Sequence, residues 1–205
     1  MGTATGPEAK SPPDLADEAL RACTSRYDLV LVPGRLNSGP EHWQSIWERE
    51  LPFWKRIDQR EWSDPDIRRW VGSLGRLILR GERPVLLAGH SLGALASCCA
   101  AVEMGGRVAG LLLVAPAEPS LFDAQDSVPT QPLSVPSILV ASRNDPFMAP
   151  ARAEHWAQTW GSELVDLGDA GHINAESGFG PWRFGRELMA RLVALADASA
   201  ALLPE

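Results

Sequence analysis

The chain has 205 residues, 45% hydrophobic and 22% charged, and its 19 Lys+Arg against 26 Asp+Glu leave a net charge of −7. This is globular composition, and at roughly 100–200 residues per domain the length points to one domain with a sizeable core. The acidic balance, with no Lys/Arg cluster anywhere in the sequence, argues against nucleic acid or an anionic membrane surface as the main partner, because both need a positive footprint; a small molecule is the expected ligand.

In chain order, residues 1–25 are rich in Pro, Ala, Gly and charge and read as a disordered or mobile tail, with a short helix around Leu15–Arg21 the one element they could hold; residues 26–205 read as the folded domain. The start lacks a basic n-region and an apolar h-region, and Gly6 stands where a myristoylation signal wants Ser or Thr, so the expected compartment is the cytoplasm. From Tyr27 onward short β-type runs alternate with helical ones. Strands are predicted at Tyr27–Pro33, weakly at Trp54–Glu61, then at Pro84–Gly89, Val108–Ala115, Ser137–Ser142 and Glu163–Leu167. Helices are predicted at Glu41–Leu51, Pro65–Arg80, Leu92–Met104, Ala151–Trp160 and Trp182–Asp197.

Period and caps carry the helical assignments. Ile67, Trp70, Val71, Leu74, Leu77 and Ile78 form one apolar stripe behind Ser63-Asp64-Pro65, and Ser38-Gly39-Pro40-Glu41 has the form of a capping box ahead of Trp43, Ile46 and Trp47. Leu188, Met189, Leu192, Val193 and Ala196 repeat the pattern near the C-terminus. The longest apolar run, Val108–Ala117, is about ten residues against the ~20 that span a bilayer. Alternating strands and helices with continuously apolar strands imply a mostly parallel sheet covered on both faces, a three-layer α/β domain.

The chemistry concentrates where the strand Pro84–Gly89 runs into Gly89-His90-Ser91-Leu92-Gly93 and then a helix. A serine on a sharp strand-to-helix turn is exposed for attack, and the backbone there passes so close to its neighbours that glycine is needed two residues before and after. The Leu92 N–H, at the helix start, lacks an intrahelical acceptor and points to where an oxyanion would form. A serine hydroxyl needs a base, and the base needs an acid that holds its tautomer. Asp145, in Arg143-Asn144-Asp145-Pro146 at the end of the strand Ser137–Ser142, is the chosen acid; His172, in Gly168-Asp169-Ala170-Gly171-His172 after the strand Glu163–Leu167, is the chosen base. Asp123, Asp126, Asp166 and Asp169 are rival acids, and His42, His90 and His155 rival bases. The second oxyanion donor is expected from the loop after the first strand, with the Arg35 N–H as candidate and Leu36 as alternative; the Arg35 guanidinium reads as solvated.

Most of the eight tryptophans read as core: Trp43/Trp47 and Trp156/Trp160 are i,i+4 pairs, and Trp70 lies in an apolar stripe. Trp182 reads as a brace for the histidine loop. Cys98 and Cys99 are adjacent, unsuited to an ordinary disulfide or a CxxC knuckle, and read with Cys23 as reduced structural thiols. No His or Cys pair has metal-ligand spacing, and neither metal nor cofactor is expected.

With these residues placed, the sequence resembles the α/β-hydrolase superfamily, and within it the small lidless serine hydrolases grouped with YdeN and the retinoblastoma-binding protein hydrolase. The resemblance spans about residues 27–195. It rests on His42-Trp43 with Trp47, on Trp62, Pro65 and Trp70, and on Gly89–Gly93. Ser142-Arg143-Asn144-Asp145-Pro146 and Gly171-His172-Ile173-Asn174 through Ser177-Gly178-Phe179-Gly180-Pro181-Trp182 complete it. It implies an α/β-hydrolase fold and esterase-type activity, with Ser91, Asp145 and His172 as the catalytic residues. Two features depart from the wider superfamily. Pro33 stands where many members carry the His of a His-Gly oxyanion motif, and Pro116–Val135 is too short for a helical cap domain. The expected function is a serine hydrolase of small carboxylic esters, extending to amides or thioesters. The alternatives are a hydrolase-fold protein of weak or no activity serving as a binding module, and an acyl transferase using the same acyl-enzyme. Oligomeric state is left open.

Overall fold

A computed structural model describes residues 12–202. Six strands, β1 (Asp28–Val32), β2 (Lys55–Arg56), β3 (Val85–His90), β4 (Val108–Val114), β5 (Ser137–Ala141) and β6 (Glu163–Asp166), form one all-parallel sheet in the order β2-β1-β3-β4-β5-β6. The helices are α1 (Pro12–Cys23), α2 (Trp43–Glu50), α3 (Ile67–Arg80), α4 (Leu92–Met104), α5 (Pro150–Trp160) and α6 (Arg183–Ala200). From β1 the chain steps outward to β2 and then returns to β3 on the other side of β1. The strand order therefore reverses between β1 and β3, and the crevice beyond their carboxyl ends is where open α/β sheets take ligands.

Side chains alternate across the strands, so each strand feeds two cores. Val30, Val32, Leu87, Leu111, Leu113 and Leu139 pack with α3, α4 and α5. Leu29, Leu31, Leu86, Ala88, Leu112, Val114, Ile138 and Val140 pack with α1, α2 and α6. Helix α4 is buried from Leu92 through Ala101, as a helix apolar all round must be. Between β4 and β5 the chain makes only one short 3-10 turn, Pro119–Phe122, and no helical cap domain intervenes. None of the described helices is long and apolar enough to cross a membrane.

Three local expectations are corrected. The domain does not begin at residue 26: α1 docks on α6, with Ala16, Leu20 and Cys23 buried at i, i+4, i+7 and Asp17 paired with Arg186 at 3.1 Å. That narrow stripe is masked in the sequence by prolines and charges; the remainder of the predicted tail, residues 1–11, lies outside the described residues. The capping box at Ser38 does not form. His42 caps α2, its Nδ1 accepting from the Gln44 N–H at 3.2 Å, while Ser38 Oγ donates to Gln44 Oε1 at 2.6 Å. Likewise α3 is capped by Asp66, which accepts from the Arg68 N–H, and not by Ser63-Asp64.

Candidate active site

Ser91 links β3 to α4 with φ 54° and ψ −122°. A non-glycine residue held there stores on the order of 1–3 kcal/mol, which the surrounding structure must sustain. It does so from both sides: the Ser91 N–H donates to the Val114 carbonyl at 3.1 Å, and the Ser91 carbonyl accepts from Ala94 at 3.0 Å. A Cβ on Gly89 would come within 2.7 Å of Ala94 Cα, and one on Gly93 would run into the Val32 and Pro33 carbonyls. The close approach expected of both glycines is therefore present. Leu92 is the first residue of α4, so its N–H is among those a helix leaves without an intrahelical acceptor.

The loop after β1 lies directly on this serine. A Cβ on Gly34 would stand 2.9 Å from Ser91 Cβ, which brings the following residue, Arg35, beside the turn. The Leu36 N–H is spent on the Trp62 carbonyl at 2.8 Å, and Leu36 and Asn37 both adopt positive φ. Of the two expected donors, only the Arg35 N–H has no acceptor among the described residues. Its side chain turns away, with Nε donating to the Ser63 carbonyl at 3.0 Å. Pro33, in the place of the superfamily histidine, offers its carbonyl to the indole N–H of Trp70 at 2.7 Å. That bond spans the sequence from α3 to the loop.

Asp145 and His172 meet at the carboxyl ends of β5 and β6. His172 Nδ1 lies 3.0 and 2.9 Å from the two carboxylate oxygens of Asp145, and both residues are buried. The Phe147 N–H donates to Asp145 Oδ1 at 2.9 Å and orients it further. The two loops are sewn together. Ser142 Oγ accepts from the Ala170 N–H, Asn144 Oδ1 accepts from the Gly171 N–H, and the Arg143 N–H donates to the Gly168 carbonyl. Beyond the histidine, the His172 N–H donates to Ser177 Oγ, which itself donates to Asn174 Oδ1. Trp43 Nε1 donates to the Ile173 carbonyl, and Trp182 packs on Trp43 and Trp47. Trp182 thus closes off the loop from the side of α2.

The rival residues sit elsewhere or do other work. Asp123, Asp126, Asp166, Asp169 and His155 are exposed, and Asp166 is paired with Arg143. His90 packs 4.8 Å from the His172 ring, and its Nε2 lies 2.9 Å from the His172 carbonyl, a group that can only accept, so this nitrogen carries the proton. Burial, helped by His42 and His172, holds the His90 pKa well below the ordinary histidine value. Burial, with Arg56 and His172 adding to it, brings His42 down to about 3. Both rings are therefore neutral at physiological pH and poor proton acceptors. Cys23, Cys98 and Cys99 are unpaired and buried, and burial raises their thiols, to about 11 for Cys23 and about 12 for Cys99. They are structural thiols.

Sequence reasoning placed no function on Ser142, Asn144, Asn174 or Ser177, nor on the indole of Trp70. The signal for the first four is the short Ser/Asn side chain next to a glycine-rich loop, which favours side-chain-to-backbone bonds. Nothing local marks Trp70.

Comparison with known proteins places the chain in a family: the one described as serine hydrolase matches residues 29–191. The chain belongs to the serine hydrolase family. Among solved structures, it is 48% identical to a YdeN-like hydrolase from Pectobacterium atrosepticum, covering 89% of this chain and 98% of that one at a TM-score of 0.86. The ydeN gene product of B. subtilis is 17% identical, with 82% and 99% covered and a TM-score of 0.68. Alpha/beta hydrolase domain-containing protein 10 from mouse is 14% identical, with 85% and 90% covered and a TM-score of 0.63. These last two share the fold. Curated protein sequences contain no match. The parallel sheet with helices on both faces and no cap is thus an α/β-hydrolase fold, and this serine hydrolase family member is a hydrolase.

Proposed function

We propose that this family member cleaves small carboxylic esters through an acyl-enzyme on Ser91. His172 takes the Ser91 proton as Oγ attacks the ester carbonyl, and Asp145 holds the imidazole tautomer and stabilises the imidazolium. The Leu92 and Arg35 N–H groups stabilise the tetrahedral oxyanion. The intermediate collapses, His172 returns the proton to the leaving alcohol, and water then cleaves the acyl-enzyme through the same groups. The observation that supports this most directly is the buried Asp145–His172 pair, whose imidazole packs 4.8 Å from the ring of His90, the residue that precedes the positive-φ serine of the strand-to-helix turn. Phe147, 44% exposed against the His172 ring, and Leu36, 67% exposed beside the Gly34 turn, offer apolar surface for the ester's carbon chains. With no cap domain water enters freely, which favours activated esters over amides. No residue in this scheme calls for a metal or cofactor.

The test is mass spectrometry after fluorophosphonate treatment, comparing wild type with Ser91→Ala, followed by an ester screen. A stoichiometric adduct on Ser91 that disappears in the variant, with ester turnover, is expected. Folded protein that takes no label would favour the binding-module alternative instead, and an ester product formed with added alcohols would favour transfer.

A further inference from the structure

The sequence contains no run of Lys and Arg longer than the pairs Lys55-Arg56 and Arg68-Arg69, but the fold assembles a basic cluster. At the β2 edge of the sheet, the outer side of α3 and the segment from Lys55 to Arg60 border a solvent-open cavity of about 840 Å³ lined mostly by exposed residues, on a chain whose net charge is −7. Seven cationic side chains line it, with Asp58 the single carboxylate. Four of the seven are already neutralised: Lys55 by Asp28 at 2.7 Å, Arg56 by Glu48 at 2.8 Å, Arg68 by Asp66 at 3.1 Å and Arg69 by Asp64 at 2.9 Å. Arg60, Arg76 and Arg80 have no ion-pair partner among the described residues. Arg76 Nη2 is tethered to Ser73 Oγ at 2.5 Å, and that hydroxyl donates across to the Asp58 carbonyl at 2.8 Å, so the guanidinium is fixed between helix and strand segment.

Guarding an edge strand against aggregation explains Lys55 and Arg56. It does not explain three further guanidiniums around one hollow, two of them at i,i+4 on α3, where like charges destabilise. Gly72 adds an independent observation. It lies inside α3 without a positive φ, and a Cβ there would meet nothing closer than Arg76 Nη1 at 3.6 Å. A helix-interior glycine costs about 1 kcal/mol against alanine, and neither backbone strain nor close packing calls for one here. What it does is leave the exposed helix surface between Arg69 and Arg76 free of a side chain where it lines the cavity.

We infer that this cavity is a binding site for a small molecule carrying two or more phosphoryl groups. Its volume falls within the range of ligand clefts, roughly 300–1,000 Å³, and the guanidinium fork matches phosphoryl oxygens bidentately. Glu61 and Glu82, exposed and next in sequence to the lining residues Arg60 and Gly81, add negative charge that opposes a long nucleic-acid backbone. None of the residues proposed for ester chemistry lines the cavity.

Isothermal titration of the full chain with inorganic pyrophosphate tests this. Saturable one-to-one binding that weakens with added NaCl is expected, unchanged in Ser91→Ala. It should weaken at least tenfold in the triple variant Arg60→Gln/Arg76→Gln/Arg80→Gln, and equally in Gly72→Leu, which fills the hollow and keeps every charge. Circular dichroism checks that each variant folds; if the triple variant does not, Arg80→Gln with Gly72→Leu carries the test. Absence of saturable binding would overturn the inference, as would equal binding by the variants. Equal affinity for citrate would overturn the phosphoryl assignment, and binding of heparin without pyrophosphate would mark an open polyanion surface instead.

Discussion

The loop that carries His172 is tied to the loop that carries Asp145 by a dense set of hydrogen bonds between adjacent strand ends, whereas the loop from Pro33 to Ser38 over Ser91 is held from far along the chain. In the first case Ser142, Arg143 and Asn144 bond Gly168, Ala170 and Gly171, and Ser177 and His90 secure the histidine's own N–H and carbonyl. In the second, the backbone on either side of Arg35 is held by the Trp70 indole on the Pro33 carbonyl and the Trp62 carbonyl on the Leu36 N–H, while Gln44, Ser45 and Arg56 hold the far end at Asn37 and Ser38. The difference suits what each loop is proposed to do. A general base must keep one ring orientation through two proton transfers, so redundancy protects it. An oxyanion donor has to present a single N–H, and two anchors flanking Arg35 suffice to aim it.

The largest effect should come from breaking the paired side. Asp145→Asn keeps the shape but presents an amide where the carboxylate fixes the His172 tautomer, and kcat should fall by about 10⁴, the loss seen when the same change is made in a serine protease triad. A loss under tenfold would give the acid role to another group. On the other side, Arg35→Pro deletes the proposed donor, and kcat should drop by roughly 10²–10³ with little change in KM. Arg35→Ala, which keeps the N–H and loses only the bond to the Ser63 carbonyl, should stay within about threefold, since one exposed hydrogen bond is worth about 1 kcal/mol or less. If the two variants lose activity equally, the side chain and not the backbone is what acts.

How far this contrast could be read in the sequence follows from the range of the interactions. Ser91 was legible because its requirements are local: a buried-type strand, two glycines and a helix start in one run of residues. The strand ends that bear Asp145 and His172 followed from the β/α alternation. The two candidate donors, Arg35 and Leu36, look alike in the sequence, because what separates them is the Trp62 carbonyl, brought in through the turn ahead of α3. For the same reason the arginine cavity was invisible: Arg60 and Arg76 become neighbours only once β2 pairs beside β1 and α3 packs behind it. Helix α1 failed differently. Its stripe of Ala16, Leu20 and Cys23 was present but too narrow to outweigh a proline-rich, charged composition, and only the surface of α6 shows what it covers.

If anchoring is redundant around His172 and sparse in the backbone flanking Arg35, removing one anchoring side-chain group from each should have unequal consequences. Trp70→Phe deletes the indole N–H that holds the buried Pro33 carbonyl, and no second donor among the described residues bonds that carbonyl. That substitution should lower kcat by about tenfold, equivalent to ~1.4 kcal/mol of lost positioning. Asn144→Ala frees the Gly171 N–H, which lies near the surface where water can take over, and the Ser142 hydroxyl proton, while the Ser142 oxygen still accepts from the Ala170 N–H and the bonds from Arg143 and His90 persist. Its cost should be about threefold or less by the same conversion. Steady-state kinetics on one activated ester, with thermal unfolding to confirm that both variants remain folded, decide the matter. An Asn144→Ala loss as large as that of Trp70→Phe would show that the histidine loop depends on each of its bonds after all, and that the two loops are held equally tightly.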